Sequence, residues 1–548
     1  MKKIALIFLL IIIAILFVIF MPQKSSESRL MRVVKDLNNT YKDLKQYASI
    51  YVLTLSNGQD MPHVVWTDDL DSFDEIIKEY KDINTEDCYI KIDIGFNKKE
   101  VTKEELKLYI ISGMDNRFVK NILINDKYVL LNSDINYNGL LDFKDKSIKE
   151  EMVSSYIYKR DNIKIDAIEK IEIFDTCSSF MDQGSNIYHL YHSNKSFHIR
   201  KEKLTSDDIL LALNTSKNML FNMLLDDGKF VYGYDIINNT EYKDYNILRH
   251  GLAIWSLLKN YKLDENEKSK VEKAIDYLIS QIVFNEDCAF VVEESAKGSE
   301  IKLGANGVAL TAFCEYMNKY DSDKYKDIAI KIGTGILYCQ NDDGSFNHII
   351  NPETFEVDST FRTVLYDGEA TLGLCKLYEL TKDERYYNSA KLSMDYFIQN
   401  DYNSYNDHWM SYAANAFSQI DDDVKYIDFG IRNVAVNIDK LKYDNSTHHA
   451  SYEQLFECYD LYKRALKNDI HLEIMDSFSI EDLEELIDYR TSLEWGSIML
   501  PESAIYTKEP SKYMNIFYLR NDLSVRIDDL AHYINAFVCL ANFENTHK

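Results

Sequence analysis

Residues 366–399 read YDGEATLGLCKLYELTKDERYYNSAKLSMDYFIQ, and this stretch decides the fold. Its first half repeats leucines and small residues at helical spacing, whereas its second half pairs one apolar face with one charged face. The short polar link TKDE between the halves predicts a helical hairpin. Because small residues let helices approach closely, we expect the first helix on the inside of the fold and the second on the outside.

The same pattern recurs from Thr205 to the end of the chain. Twelve amphipathic helices are predicted there, which make six hairpins. The links from even to odd helices are mostly short, and those from odd to even helices are mostly long and rich in Gly, Asn, Asp and aromatic residues. This alternation places every long loop on one rim. The sequence therefore predicts a mainly α fold in which residues 205–548 form an (α/α)6 toroid, with an open α-solenoid as the alternative.

Two further regions precede these helices. Residues 25–204 mix short helical stretches with β-branched runs such as CYIKIDIGF, which predicts a smaller α+β domain that acts as a spacer or binds a partner. Residues 1–24 hold two lysines followed by the uncharged apolar run from Ile4 to Met21, which predicts an N-terminal transmembrane helix acting as a signal anchor. The lysines favour a single-pass protein with its N-terminus inside and its bulk extracytoplasmic, although a cleaved signal remains an alternative.

Composition excludes one class of partner and indicates an ordered chain. The formal net charge is −27 and no cluster of basic residues interrupts the acidic background, so nucleic acid is not expected as a partner. With 46% hydrophobic residues and only 5 Pro and 18 Gly, the chain is expected to be ordered. The eight cysteines form no CxxC pair, and we predict no metal and no cofactor. The oligomeric state is left open.

Unusual polar and aromatic residues gather where the even-numbered helices begin. Helix N-termini present free amide groups and a positive dipole end, so a rim built from them suits an anionic or hydroxyl-rich ligand. The candidates are Tyr245, Arg249, His250, Tyr366, Asp367, Glu369, His408, Trp409, Arg526, Asp528 and His532.

Four of these residues are the catalytic candidates. Asp367 and Glu369 stand two apart at a Gly-containing turn, with Asp528 as a possible partner across the ring. Glycosidases need two carboxylates that flank the bond to be cleaved. Asp528 and His532 lie four apart on one helical face, so that the carboxylate can orient the imidazole, although such a pair is also common on helix surfaces.

The remaining candidates are assigned to substrate binding. Lyases and uronyl epimerases need a Tyr or His base and a cation that neutralises the sugar carboxylate. Tyr245, Arg249, His250, Tyr366 and Arg526 supply such groups together with His408, and Trp409 can stack on a sugar face. Because Arg249 and His250 are adjacent, they cannot both point into the ring, so one of them is expected to be structural.

The segments LRHGLAIWSLL, YDGEATLGLCKLYELTKDERYYNSA and RIDDLAHYINAF resemble the six-hairpin glycosidase-like superfamily, and the resemblance covers residues 205–542. The superfamily contains glycan hydrolases, unsaturated-uronyl hydrolases, lyase helical domains and the helical domain of glucuronyl epimerases. A Pro is usual there at the position of Asp367, so this departure leaves Asp367 open as a catalyst or a helix cap.

The N-terminal apolar run and the resemblance together predict a membrane-anchored extracytoplasmic protein that acts on a cell-envelope or exopolysaccharide glycan. Hydrolase, lyase and uronyl epimerase chemistry all stay open. The alternatives are a non-catalytic protein that binds glycan or assists polysaccharide assembly, and an envelope scaffold. The predicted partners are a glycan and, through the N-terminal helix, the membrane.

Overall fold

The computed structural model describes residues 28–80, 88–112, 120–190, 200–295, 298–358, 360–444, 447 and 449–547. The predicted signal anchor, residues 1–24, lies outside these ranges. Within them, none of the helices combines the length and the apolar character that crossing a bilayer requires. The eight cysteines all lie within the described residues and are free thiols.

The first part of the chain is a seven-stranded antiparallel sheet with helices around it, in agreement with the predicted α+β character. Its strand order is β2-β1-β3-β8-β4-β5, with β9 beside β8, and β6 pairs with β7 separately. The strands are β1 Ile50–Ser56, β2 His63–Thr67, β3 Tyr89–Glu100, β4 Asn121–Ile124, β5 Tyr128–Leu130, β6 Leu141–Asp142, β7 Ser147–Ile148, β8 Ile171–Met181 and β9 Ile187–Leu190. The helices are α1 Arg29–Thr40, α2 Leu70–Tyr80, α3 Lys103–Ser112, α4 Asn132–Tyr137 and α5 Glu150–Asp161.

Both faces of this sheet are covered, which explains why β1 reads IYVLTLS with every residue buried. Tyr51 and Leu53 face the apolar sides of α1 and α2. Ile50 and Val52 face the opposite way and belong to the core of the helical region that follows. The sheet is therefore packed against the rest of the protein.

The rest of the chain contains the twelve predicted helices. In chain order they are α6 Ser206–Met223, α7 Ile247–Asn260, α8 Glu265–Ser280, α9 Leu303–Tyr320, α10 Lys326–Cys339, α11 Val364–Thr381, α12 Glu384–Gln399, α13 His408–Phe417, α14 Val424–Ala435, α16 His449–Lys467, α17 Ile480–Glu494 and α20 Ile527–His547; short helices between them are α15 Ile438–Tyr443, α18 Pro501–Ala504 and α19 Pro510–Tyr513.

The even-numbered members of the predicted set form a closed inner ring. Helix α7 contacts α9, and the contacts continue through α11, α13, α16 and α20 back to α7. Helices α6, α8, α10, α12, α14 and α17 lie outside them. Closure confirms the (α/α)6 toroid and excludes the open solenoid.

Small residues let the inner helices α9 and α11 approach closely, as the sequence pattern indicated. A Cβ atom added to Gly307 of α9 would lie 2.5 Å from the backbone of Glu369 in α11. Only glycine permits this approach of two helix backbones. Gly307 and Glu369 thereby hold α9 and α11 together at the level where both helices begin.

The long loops share one rim, because short strands join them in pairs. Strand β17 (Ser524–Arg526) precedes α20 and pairs with β10 (Gly233–Asp235), which precedes α7. Strands β14 (Gly298–Lys302) and β15 (Ile349–Ile350) join the loops before α9 and α11. The other loop strands are β11 Thr240–Glu241, β12 Ile282–Asn285, β13 Cys288–Ser295 and β16 Val357–Asp358. We call the opening surrounded by the first turns of the six inner helices the mouth.

Candidate functional site

The most tightly bonded pair at the mouth joins α16 to α20. The Nδ1 atom of His532 lies 2.6 Å from Oε2 of Glu453, and the hydroxyl of Tyr412 donates to Oε1 of Glu453 at 2.9 Å. Burial by itself would raise the pKa of Glu453, but the charge of His532 and its hydrogen bond outweigh this and lower that pKa to about 2. Burial lowers the pKa of His532, and the nearby Glu453 charge reverses this and raises it. The pair is therefore an imidazolium and a carboxylate.

A second imidazole, that of His449, stacks on the imidazole of His532. The rings of His449 and His532 are nearly parallel, with centroids 4.6 Å apart and planes 14° apart. The Nε2 atom of His449 lies 3.2 Å from Oδ1 of Asp529. Asp529 is fully buried and also accepts two hydrogen bonds from Arg526, at 3.0 Å from Nε and 2.9 Å from Nη2. A bidentate arginine thus fixes the carboxylate that orients His449.

Asp528 lies beside this group and joins α20 to α7. Its Oδ2 atom is 3.0 Å from Nε of Arg249 and 3.3 Å from Nη2 of Arg526. Its Oδ1 atom is buried and has no hydrogen-bond partner among the described residues. Burial and the neighbouring Asp529 raise the pKa of Asp528, while the two arginines oppose this. Water reaches this side of the mouth, since the Arg249 and Arg526 side chains keep 33% and 27% of their surface exposed.

The opposite side of the mouth carries two carboxyl groups with unused oxygens. Glu369 and Asp407 are buried, and Oε2 of Glu369 and Oδ2 of Asp407 have no partner within the described ranges. Burial and the charge of Asp407 raise the pKa of Glu369 well above its ordinary value. The neutral form of Glu369 is therefore favoured, and Asp407 caps α13 by accepting from the amide of Trp409 at 3.1 Å.

A third imidazole, that of His408, lies at the mouth. His408 follows Asp407 directly, and its Nδ1 atom lies 3.4 Å from Oδ1 of that residue. Its Nε2 atom is buried and unpartnered in the part of the chain that the structure describes. The ring of His408 stands edge-on to that of His532, with centroids 5.2 Å apart. Three imidazoles at the mouth are thus each backed by a different carboxylate.

The structure brings together seven of the eleven residues predicted for the site. Arg249, Glu369, His408, Arg526, Asp528 and His532 surround the mouth as described, and Tyr366 joins them because its hydroxyl lies within the electrostatic influence of Glu369 and Arg249.

Asp367 lies elsewhere, two residues before Glu369 and on another side of α11. Its buried carboxylate accepts from Nη2 of Arg362 at 3.2 Å and from the hydroxyl of Tyr402 at 3.3 Å, and it lies 3.0 Å from Nε2 of His348. Three loop residues are tied to one helix in this way. The arrangement anchors loops at the start of α11.

Tyr245, His250 and Trp409 also lie away from the mouth opening. His250 is fully buried, with Nδ1 2.7 Å from the Tyr245 hydroxyl and Nε2 2.8 Å from the Ala274 carbonyl of outer helix α8. Of the adjacent pair, Arg249 points to the mouth and His250 is structural, as the spacing required. The indole of Trp409 is buried against Trp255 inside the ring, with centroids 5.9 Å apart.

Sequence reasoning missed Glu453 and Tyr412 as members of the site. Glu453 stands in SYEQLFECYD on α16, and the signal was available: Glu453 and Glu457 lie four apart on the face that the ring buries. Charged residues on the buried face of a helix are rare unless they are paired. As the tenth helix of the predicted set, α16 already belonged to the predicted inner ring, so both residues could have been singled out.

The donor atoms of His408, Glu453 and His532 lie within 4.8 Å of one another, a spacing that could hold a metal ion. Two imidazoles and one carboxylate are ligands that several transition metals accept. In this structure Nδ1 of His532 already donates to Glu453, and each group neutralises the charge of the other. We interpret the pair as an ion pair that satisfies both groups.

No family model matches the chain, and no curated protein sequence matches it. Among solved structures, a D-mannose isomerase is similar at a TM-score of 0.47 and 11% identity, covering 62% of this chain and all of that one (100%). The cellobiose 2-epimerase from Bacillus thermoamylovorans gives a TM-score of 0.45 at 13% identity, covering 61% of this chain and 99% of its own. An unsaturated glucuronyl hydrolase specific for heparin gives 0.42 at 10% identity, covering 62% and 99%.

All three likenesses lie below 25% identity and below a TM-score of 0.5, so the resemblance to the six-hairpin glycosidase-like superfamily stays a prediction from the sequence. The closed ring itself is established by the contacts between the inner helices. The chemistry of the mouth has to be argued from its own residues.

Proposed function

We propose that the protein is a carbohydrate-active enzyme that transfers a proton at a sugar carbon next to a carbonyl group, in the mouth of the ring. The observation that carries this proposal is the set of three imidazoles, each held by its own carboxylate: His532 by Glu453, His449 by Asp529 and His408 by Asp407. Imidazoles oriented by carboxylates are the commonest general acids and bases at neutral pH.

The proposed step uses His408 as the base and His532 as the acid. Nε2 of His408 has no partner among the described residues and takes the proton from the carbon. The electron pair of the broken C–H bond forms a C=C bond, and the carbonyl oxygen takes a proton from Nε2 of His532. Glu453 keeps His532 protonated for this purpose. Return of the proton to the other face of the carbon gives an epimer, and return to the neighbouring carbon gives an isomer.

Glycoside hydrolysis is the second candidate, and one observation favours it. Burial and the charge of Asp407 raise the pKa of Glu369 well above its ordinary value, and a carboxyl group with a raised pKa near a second carboxyl group is what the acid of a glycosidase requires. Among the described residues, however, neither group forms an ion pair with Arg249 or Arg526, whereas Asp529 joins His449 to Arg526. Proton transfer by the histidines therefore ranks first.

Incubation in D₂O tests the first candidate directly. The full-length protein is mixed with D-mannose, D-glucose, cellobiose and D-glucuronate, and proton NMR follows the exchange of hydrogen at the carbon beside the carbonyl. We expect exchange with at least one sugar, unaffected by a chelator. His532→Asn and His408→Asn are expected to slow it by about 10²- to 10⁴-fold, the usual contribution of a general acid or base.

The control variant is His471→Asn, since His471 is exposed and pairs only with the exposed Asp476. It should leave exchange unchanged. Release of reducing ends from an oligosaccharide, lost in Glu369→Gln and kept in His532→Asn, would instead establish the hydrolase. Neither exchange nor cleavage with any of these sugars would remove the enzyme proposal in favour of glycan binding or an envelope scaffold.

We also propose that the protein is anchored in a membrane and faces the extracytoplasmic side, where its substrate is an envelope or exopolysaccharide glycan. The apolar run from Ile4 to Met21 behind two lysines supports this. Fractionation of cells, followed by protease treatment of intact spheroplasts, tests it. Recovery of the full chain in the soluble cytoplasmic fraction would contradict it.

A further inference from the structure

We propose that the mouth selects a neutral, hydroxyl-rich sugar and discriminates against uronates and sugar phosphates. This inference rests on the proposed function, because it names the class of substrate for the same site. The sequence alone left uronates open, since arginines at the mouth could neutralise a sugar carboxylate.

The first argument is that the arginines of the mouth are already neutralised. Arg249 is 3.0 Å from Asp528, and Arg526 forms a bidentate pair with Asp529 and a further contact with Asp528 at 3.3 Å. A third cation, His532, is held by Glu453 at 2.6 Å. Each of these positive groups thus has a carboxylate partner within the protein. A uronate would either share a cation that is already neutralised or displace one of these carboxylates.

Displacement is unfavourable because the carboxylates cannot move into water. Asp529 is fully buried and Asp528 is 6% exposed. A buried carboxylate that loses its arginine keeps its desolvation cost without compensation. Replacing an internal carboxylate with the carboxylate of the ligand therefore gains no binding energy, because the internal carboxylate is left buried and unpaired.

The second argument concerns the unused hydrogen-bonding atoms. Oδ1 of Asp528 and Oδ2 of Asp407 are buried carboxylate oxygens with no partner in the described part of the chain. An unprotonated carboxyl oxygen accepts hydrogen bonds. They therefore require donors, which sugar hydroxyl groups supply and a sugar carboxylate or phosphate does not.

The third argument is the charge of the mouth as a whole. Five carboxyl groups, those of Glu369, Asp407, Glu453, Asp528 and Asp529, lie at the mouth together with two arginines, Arg249 and Arg526. The formal net charge of the whole chain is also negative, at −27. An anionic ligand would meet like charges inside a site of low dielectric constant, where they are poorly screened.

Isothermal titration calorimetry with matched sugar pairs tests the inference. The full-length protein is titrated with D-glucose against D-glucuronate and with D-mannose against D-mannuronate. We expect each uronate to bind at least 10-fold more weakly than its neutral counterpart. Asp528→Asn removes one negative charge and frees Arg249, so it should weaken the neutral sugars and strengthen the uronates by about 10-fold or more.

Asp428→Asn is the matched control, because Asp428 forms an aspartate–arginine pair with Arg432 on the outer helix α14. This substitution should change neither the affinity for neutral sugars nor the affinity for uronates. Thermal unfolding checks that Asp528→Asn is folded, and Arg249→Gln provides a second variant: if Arg249 is already neutralised, the weak uronate binding should not fall further.

The outcomes separate the two proposals. Uronates that bind as tightly as the neutral sugars, or a loss of uronate binding in Arg249→Gln, would overturn this inference while leaving the proton-transfer proposal intact. Absence of binding by all four sugars would overturn the proposed function and this inference with it.

Discussion

The imidazole rings of His449 and His532 lie face to face, 4.6 Å between centroids and 14° between planes. Glu453 of α16 pairs with His532 of α20, and Asp529 of α20 pairs with His449 of α16, so that each ring is held by a carboxylate from the other helix. The stacked pair thus depends on residues of both α16 and α20.

Glu453→Gln is expected to destabilise the protein in a pH-dependent manner. The pKa of Glu453 is lowered from 4.5 to about 2 on folding, so its contribution to stability is complete above pH 4.5 and is lost as the pH falls toward 2. The pKa of His532 is raised above 6.5, so its contribution is complete below pH 6.5 and is lost as the pH rises through the raised value.

The free energy of unfolding should therefore differ most between the native protein and Glu453→Gln from pH 4.5 to 6.5, by roughly 3 kcal/mol for a broken buried ion pair. Urea unfolding at about pH 3, 5.5 and 8.5 measures the difference. The exposed Glu473→Gln serves as the control. A difference that stays constant across these pH values would contradict the ion pair.

The ring could be predicted from the sequence because helical periodicity is local. The stretch from Tyr366 to Gln399 shows an inner and an outer helix without any knowledge of its neighbours, and the alternation of loop lengths fixes which ends share a rim. Residues at helix starts, such as Arg249 and Asp528, could be predicted to meet for the same reason.

The direction of individual side chains could not be predicted in the same way. Asp367 and Glu369 are two residues apart on α11, and a rotation of about 200° separates them around the helix axis. Glu369 therefore faces the mouth while Asp367 binds the loop residue His348. Glu453 was missed because an acidic residue inside an amphipathic helix usually faces solvent, although its spacing to Glu457 on an inner helix indicated a buried pair.

Gly307→Ala is expected to destabilise the ring. The new methyl group would lie 2.5 Å from the backbone of Glu369, and backbone atoms of a packed helix cannot move aside. Overpacking costs about 1–3 kcal/mol and more where the backbone must shift, which outweighs the gain of ~1 kcal/mol in helix propensity. Thermal unfolding measures the net loss.

The control for Gly307→Ala is Gly184→Ala. A Cβ at Gly184 would meet the amide end of the Asn186 side chain at 3.2 Å, which can rotate away. It should leave the melting temperature within a degree or two. Equal melting temperatures for both variants would show that α9 and α11 do not depend on this contact.

Arg526→Lys is expected to be a non-conservative substitution. The guanidinium group bonds both oxygens of the buried Asp529 at 2.9 and 3.0 Å, and an ammonium group cannot reproduce this planar bidentate contact. We expect a loss of about 1–2 kcal/mol for lysine, from hydrogen bonds to a charged group, and about 3 kcal/mol or more for Arg526→Met, which leaves the carboxylate without its cation.

Arg385→Lys provides the comparison at the surface. Arg385 also binds both oxygens of an aspartate, Asp383, but its side chain is 58% exposed. Exposed ion pairs contribute about 0–1 kcal/mol, so this change should be nearly neutral. Urea unfolding of the three variants measures these losses of stability. Equal losses at Arg526 and Arg385 would argue against a structural role for the pair of Arg526 and Asp529.

Glu457→Gln is expected to stabilise the protein at alkaline pH. Glu457 lies one helical turn beyond Glu453, and burial raises its pKa from 4.5 to about 7, although Lys259 and a hydrogen bond from Asn415 oppose the shift. A carboxyl group whose pKa is raised on folding costs no stability below pH 4.5 and costs progressively more as the pH rises to about 7. Glutamine imitates the neutral acid and never ionises. The stability of Glu457→Gln should therefore match that of the native protein near pH 4 and exceed it near pH 8.5 by up to about 3 kcal/mol.

The control is the exposed Glu485→Gln, whose stability should not diverge from that of the native protein in this way. If urea unfolding gave the native protein the advantage at pH 8.5, the ionised Glu457 would have to be stabilised by Lys259 rather than penalised by its burial.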